Sequence, residues 1–180
     1  MKTVRLHDKF FKLFIPYSEI SAAIDRVADE INHDYKDSPE PPILLCVLSG
    51  AIMFTGELMK RLNFDCTLSS IKLSSYEGTS STGVIKEIMG LTSPVEDRDV
   101  IILEDIVDTG RTVHSLVDML KKRGASSVRI ATMLLKTEVY DGDIPLDYVA
   151  LEIPNRFIVG FGLDYDEIGR NLPGIYVIDN

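Results

Sequence analysis

The fold is decided by residues 100–124, which read VIILEDIVDTGRTVHSLVDMLKKRG. The first four residues form a continuous apolar run, typical of a strand that is buried on both faces of a sheet. After an acidic connection, apolar residues recur at helical spacing from Val113 to Leu120, and Gly124 ends the helix. A buried strand followed by a loop and an amphipathic helix predicts an α/β fold with a parallel sheet.

The segments on either side repeat this alternation. Another continuous apolar run at 43–48 predicts a second buried strand. Ser18 is a candidate N-cap for an amphipathic helix. The other predicted elements are helices at 18–34 and from Phe54 to Leu62, and strands at 66–73 and 128–135. We therefore expect a central, mainly parallel β-sheet flanked by helices.

The domain organisation follows from the length of 180 residues, which suits one substantial hydrophobic core. The two ends of the chain fit the alternating pattern less well than the middle. We predict a single domain with a core at about 18–140. A small second lobe, or hood, would form from residues 1–17 and 141–180.

The net charge of −9 limits the partners that this chain can have. An acidic surface repels nucleic-acid backbones and anionic membranes, so neither is an expected partner. No apolar run reaches the ~20 residues that span a bilayer, and no signal-peptide cleavage pattern is present. We expect a cytoplasmic protein in which Cys46 and Cys66 are reduced thiols. The three histidines are too scattered to predict a metal site.

Four loops should meet at one edge of the sheet, because ligands of open parallel sheets bind at the carboxyl ends of the strands. These loops are 49–51, the Ser- and Thr-rich segment 74–83, residues 104–112, and the segment that starts at Lys136. The composition of 74–83 is typical of a mobile loop.

Residues 109–112 have the features of a phosphate-binding loop. Free backbone amides at the start of a helix bind phosphate without any net protein charge, and Gly110 permits close approach. Glu104 and Asp105 could accept hydrogen bonds from a ribose diol or bind a metal, and Asp108 could accept a proton. A short D-T-G-x-T motif alone would favour an ordinary helix cap with solvated acids over a phosphate site. The longer pattern is more specific, and no Walker A or G-x-G-x-x-G motif is present.

The sequence VIILEDIVDTGRT at 100–112 resembles the phosphoribosyl-pyrophosphate (PRPP) motif of type I phosphoribosyltransferases, in the hypoxanthine (6-oxopurine) branch. The resemblance extends through LSGA at 48–51, SSYEGTSSTG at 74–83, Lys136, and RFIVGFGLDYDEIGRNLP at 156–173. It implies the type I phosphoribosyltransferase fold.

The resemblance also implies how PRPP is bound. The 5′-phosphate would contact Thr109, Gly110, Arg111 and Thr112. The pyrophosphate would contact Leu48, Ser49, Gly50 and Arg170, beneath a closing loop with Ser75 and Tyr76. The pyrophosphate loop of this family often contains a non-proline cis peptide, and Ser49 stands where several members have a basic residue. The ribose hydroxyls and Mg²⁺ would be held by Glu104 and Asp105, with Asp164 at a second Mg²⁺.

For the base, the resemblance implies that Lys136 donates to the 6-oxo group and Phe157 stacks on the ring. Ile158 would present backbone groups to the edge of the base, and Asp108 would handle a proton at N7. The implied reaction is Mg²⁺-dependent transfer of the phosphoribosyl group to N9 of hypoxanthine and guanine by a homodimer or homotetramer. Two alternatives stay open. One is a transferase for xanthine, adenine, orotate or uracil, and the other is a non-enzymatic PRPP sensor that binds nucleic acid.

Overall fold

The chain is described by a computed structural model over residues 3–75, 85–91 and 94–179. Strands and helices alternate through the middle of the chain, as the hydrophobic pattern predicts. The elements are β1 (Thr3–Leu6), β2 (Lys9–Ile15), α1 (Tyr17–Tyr35), β3 (Ile43–Leu48), α2 (Ile52–Met59), β4 (Thr67–Ser75), β5 (Ile85–Met89), β6 (Asp99–Val107), α3 (Arg111–Lys122), β7 (Ser127–Lys136), β8 (Tyr148–Ile153), β9 (Ile158–Val159) and β10 (Ile175–Ile178).

The larger sheet has six strands in the order β5-β4-β3-β6-β7-β8. Five of them run parallel, and β5 pairs antiparallel with β4 at one edge. The predicted central, mainly parallel sheet is confirmed. Because β3, β4, β6 and β7 are parallel, their carboxyl ends lie at the same edge of the sheet.

Helices cover both faces of this sheet because the buried strands are apolar on both sides. In β6, Ile101 and Leu103 pack in one apolar cluster with α1 and α2. Val100 and Ile102 alternate with them and pack with α3 in a second cluster. The predicted apolar stripes of the two longer helices are confirmed as buried. They consist of Ile20, Ile24, Val27 and Ile31 in α1, and Val113, Leu116, Val117 and Leu120 in α3.

A second sheet joins the two ends of the chain in the order β1-β2-β10-β9, which we call the terminal lobe. Its strands pack on the core of the large sheet, since Ile158 and Ile175 belong to the same cluster as α1. The predicted lobe boundary at residue 141 is wrong, because β8 pairs with β7 in the large sheet. In the described structure the C-terminal part of the lobe therefore begins after Ile153.

Three element boundaries also differ from the sequence prediction. Ser18 lies inside α1, whose N-cap is Pro16 and has no side-chain cap. Helix α2 ends at Met59, before Leu62. Strand β6 continues to Val107, because its pairing with β7 extends beyond the apolar run. Glu104 and Asp105, which the sequence predicted to lie in a loop, therefore lie within a strand.

Candidate active site

Two cavities meet at the carboxyl edge of the large sheet. One has a volume of about 280 Å³ and is lined by residues 104–113. The other has a volume of about 300 Å³ and lies between the ends of β3, β4 and β6 and the terminal lobe. Both cavities are lined by Glu104, Asp105 and Thr112, so they form one continuous site. The second cavity is lined by Val47, Leu48, Ser49, Gly50, Leu73, Glu104, Asp105, Thr112, Asp164 and Arg170.

The first cavity ends at the start of α3. Gly110 is the N-cap and has a left-handed backbone with a φ of 81°, which glycine adopts readily. No side chain caps the helix, and helix geometry leaves the first amides without partners inside the helix. Residues 109–112 all line this cavity. Together with the helix dipole, the free amides favour an anion such as a phosphate.

Glu104 and Asp105 form the shared wall of the two cavities. The side chain of Glu104 is buried, and its Oε2 has no hydrogen-bond partner among the described residues. Asp105 accepts a hydrogen bond from the amide of Ile106 at 2.7 Å. Burial raises the pKa of both carboxyl groups, and the pKa of Glu104 also rises because of the neighbouring negative charge. An acid pair of this kind is stabilised by a cation or by hydroxyl donors.

A divalent cation fits these residues if a bound molecule supplies further ligands. Among the described residues, no three acidic, histidine or cysteine side chains are grouped closely enough to hold a metal alone. Mg²⁺, however, usually binds one or two carboxylates and completes its shell with substrate phosphates and water. The unpaired oxygen of Glu104 and the neighbouring carboxyl of Asp105 match that requirement.

The end of β3 forms the opposite wall of the second cavity. The peptide between Leu48 and Ser49 is cis, as the family resemblance implies. Gly50 lies so close to Asp105 that a Cβ at this position would be 1.5 Å from Oδ2 of the carboxylate. A glycine is therefore required for the loop after β3 and the acid pair of β6 to pack together.

Asp164 and Arg170 belong to the terminal lobe and reach the same cavity. Their side chains form an ion pair at 2.7 Å, and Arg170 also donates to the carbonyl of Gly162 at 2.7 Å. The second oxygen of Asp164 accepts a hydrogen bond from the amide of Glu167 at 2.8 Å. The guanidinium is thereby oriented beside the acid pair, where it can bind an anion.

Asp108 and Lys136 lie at the ends of the adjacent strands β6 and β7. Nζ of Lys136 is 3.0 Å from Oδ2 of Asp108. The lysine side chain is 12% exposed, whereas the aspartate side chain is 49% exposed. A hydrogen-bond donor and an acceptor are thus placed side by side next to the phosphate loop.

Phe157 and Ile158 lie in the terminal lobe and line neither of the two cavities. The ring of Phe157 is 46% exposed and contacts Phe11 and Tyr165 at centroid distances of 6.1 and 5.8 Å. Strand β9 is an edge strand. The amide of Ile178 donates to the carbonyl of Phe157, so by antiparallel alternation the backbone groups of Ile158 point to the open side.

Ser75 and Tyr76 were both predicted to lie in the loop segment 74–83, most of which falls outside the described residues. Ser75 is the last residue of β4, at the same edge of the sheet as the other site residues. Tyr76 lies outside the described residues.

Sequence reasoning did not identify Tyr140 or Gly162. The ring of Tyr140 packs on Gly110 behind the phosphate loop, and Gly162 supplies the carbonyl that orients Arg170. The only available signal for Gly162 was its place in the family-like segment GFGLDY. Tyr140 lies in a connection that had no recognisable motif.

Comparisons with known proteins identify the family of this chain. Residues 16–166 match the sequence family that is described as the phosphoribosyl transferase domain. The hypoxanthine-guanine phosphoribosyltransferase of Streptococcus thermophilus (strain CNRZ 1066) is 44% identical over 168 residues, which is 93% of this chain and 92% of that protein. The enzyme of the same name from Streptococcus mutans is 42% identical and covers 96% of both chains.

Solved structures give the same result. A hypoxanthine phosphoribosyltransferase from Staphylococcus aureus is 35% identical, with a TM-score of 0.87 and coverage of 93% of this chain and 91% of that one. The hypoxanthine phosphoribosyltransferase of Trypanosoma cruzi in complex with its product IMP is 34% identical, with a TM-score of 0.87 and 98% coverage of both chains. The chain therefore belongs to the phosphoribosyltransferase family, in its hypoxanthine branch with the type I fold.

Proposed function

We propose that this chain salvages purines by transferring the 5-phosphoribosyl group of PRPP to N9 of hypoxanthine, which yields IMP and pyrophosphate. The main support is one continuous site that joins an uncapped helix start, an acid pair and an arginine-lined cavity. These three parts match the phosphate, the ribose and the pyrophosphate of PRPP. Guanine is proposed as a second substrate, which would yield GMP.

PRPP would bind along this site in an extended arrangement. Its 5′-phosphate would take the free amides and hydroxyls of residues 109–112. Its ribose hydroxyls would donate to Glu104 and Asp105, and its pyrophosphate would contact the amides of 48–50 and the guanidinium of Arg170. An acidic protein would thereby bind a polyanion through local positive groups.

Mg²⁺ is proposed as the cofactor, held by Glu104 and Asp105 and, at a second position, by Asp164. When bound, it neutralises charge on the pyrophosphate oxygens as they leave. The support for this assignment is the buried acid pair with an unpaired Glu104 oxygen.

The base would bind beside Asp108 and Lys136. O6 and N7 are neighbouring atoms on one edge of a 6-oxopurine. Lys136 would donate to O6, and Asp108 would accept the proton of N7, which fits their 3.0 Å ion pair. Adenine carries an amino donor in place of O6, so the lysine disfavours it. Phe157 would stack on the ring, and the open backbone groups of Ile158 would contact its edge.

The reaction would proceed by attack of N9 on C1 of the ribose. The bond between C1 and the pyrophosphate oxygen breaks, and its electron pair leaves with the pyrophosphate. The transition state has oxocarbenium character, as at other glycosidic carbons. The proton that the base loses at N7 passes to the carboxylate of Asp108, which acts as a general base.

The assembly is proposed to be a homodimer or homotetramer in the cytoplasm. One related structure, of the Trypanosoma cruzi enzyme, concerns the role of its C-terminal region in oligomeric state and activity. Cys46 and Cys66 are free thiols, which fits a reducing compartment. Among the described residues, no helix is long and apolar enough to cross a membrane.

The function is tested by incubating the chain with PRPP and Mg²⁺ and each of four bases, namely hypoxanthine, guanine, xanthine and adenine. We expect nucleotide formation with hypoxanthine and guanine, and a kcat/KM for adenine lower by about 10⁴, because the amino group of adenine would face the Lys136 ammonium donor to donor. Chromatographic detection of IMP, GMP, XMP and AMP measures all four reactions. Preference for xanthine would favour the alternative transferase, and turnover of no base would favour a PRPP sensor.

Replacing Asp108 with asparagine tests the proton transfer. The amide keeps the size of the side chain but cannot accept the proton, so kcat should fall by about 10²–10⁴. The matched control is Asp118→Asn on the exposed surface of α3, where the carboxylate pairs with His114. Steady-state rates at saturating PRPP and hypoxanthine provide the measurement. Unchanged turnover of the Asp108 variant would rule out its role as the base.

Gly50→Ala tests the close packing of the pyrophosphate loop on the acid pair. The added Cβ would displace the Asp105 carboxylate, and kcat/KM for PRPP should fall by about 10²-fold, since small misplacements in a site cost that much. Gly56→Ala is the control, because a Cβ there meets nothing within 4 Å. Equal kinetics for the two variants would contradict the proposed arrangement.

A further inference from the structure

The connection between β7 and β8 packs against the back of the phosphate loop. At Gly110, a Cβ would lie 2.6 Å from Cε2 of the Tyr140 ring, so the ring is in van der Waals contact with the glycine. Apart from the chain neighbours, the three atoms nearest to that position all belong to this ring, at 2.6, 3.1 and 3.9 Å. The tyrosine therefore occupies the space that a side chain at the helix N-cap would fill.

Tyr140 is held in place by hydrogen bonds of both its backbone and its side chain. Its backbone amide donates to the carbonyl of Lys136 at 3.1 Å. Its hydroxyl donates to the carbonyl of Ile144. The side chain is half-buried and packs, with Ile144 and Leu146, on the apolar cluster that includes α3. The position of the ring is thus fixed by the connection and by the core beneath it.

Gly110 needs such support because glycine has more backbone freedom than any other residue. Its conformation sets the direction of the first amides of α3, and no side-chain cap holds it. Thr109, Gly110 and Arg111 also line a third, smaller cavity of about 90 Å³, whose other wall includes Tyr140 and Ile144. Without the ring, the phosphate loop would have space behind it into which it could relax.

We propose that Tyr140 is a positioning residue. Its ring packs against Gly110 and thereby keeps the amides of residues 110–112 directed at the 5′-phosphate. The inference rests on the proposed function, because it assigns these amides to PRPP. The same residue connects two parts of the site, since its amide is bonded to the Lys136 carbonyl and the Lys136 side chain reaches Asp108. No step of the reaction requires Tyr140 itself.

The expected signature is a change in PRPP binding without a matching change in turnover. The amides contact the phosphate both before and during the reaction, so a misplaced loop loses uniform binding. Tyr140→Ala should raise KM and Kd for PRPP by about tenfold, equivalent to ~1.4 kcal/mol. The kcat and the KM for hypoxanthine should change much less. Tyr140→Phe keeps the ring and should stay within about threefold of the wild type, since it loses one neutral hydrogen bond.

The experiment measures initial rates against PRPP and hypoxanthine, and PRPP affinity by calorimetry with Mg²⁺ present. Leu146→Ala is the matched control, because Leu146 lies in the same connection and packs on the same cluster but lines neither cavity beside Gly110. Tyr140→Leu, which keeps apolar bulk without the ring, replaces the alanine variant if that variant does not fold. Thermal unfolding of every variant reports the general loss of stability.

Support requires that the alanine or leucine variant lose PRPP affinity while the phenylalanine variant and Leu146→Ala do not. The inference is overturned if Tyr140→Ala binds PRPP like the wild type, or if Leu146→Ala weakens PRPP binding equally. It is also overturned if Tyr140→Phe behaves like Tyr140→Ala. If the wild type neither binds nor turns over PRPP, the proposed function fails and the inference fails with it. A normal wild type with a normal Tyr140→Ala variant removes this inference alone.

Discussion

Two carboxyl groups, those of Glu104 and Asp105, lie next to each other at the end of a buried strand, in a chain whose net charge is −9. Burial opposes their ionisation, and one oxygen of Glu104 has no hydrogen-bond partner within the described part of the chain. Such a pair requires hydroxyl donors or a cation. The other parts of the site also compensate this negative charge, since the start of α3 and Arg170 both supply positive potential around the acid pair.

In the proposed function, the site divides into a part that recognises PRPP and a part that selects the base. The first depends on backbone geometry, namely the left-handed Gly110 and the close approach of Gly50 to Asp105. The second depends on side chains, since Lys136 and Asp108 present a donor and an acceptor 3.0 Å apart. The two parts meet in the connection after β6, where Asp108 and Gly110 line the same cavity.

The sequence predicted the sheet and the buried faces of α1 and α3, because those features depend on local patterns. The phosphate-binding role of residues 109–112 stays a prediction. The sequence misplaced the start of the lobe and the end of β6, because strand pairing with β7 extends beyond the apolar run. The cis peptide before Ser49 was suggested only by resemblance to the family. Tyr140 could not be predicted, since its contact with Gly110 joins residues thirty positions apart without any motif.

In the proposed function, local positive charge, including a divalent cation, compensates the acid pair and allows this acidic chain to bind PRPP. Isothermal titration of PRPP into the full chain, in excess Mg²⁺ and in excess EDTA, tests it most directly. We predict that removing the metal weakens PRPP binding at least about tenfold, which corresponds to ~1.4 kcal/mol. Equal affinity under both conditions would contradict the role assigned to Glu104 and Asp105.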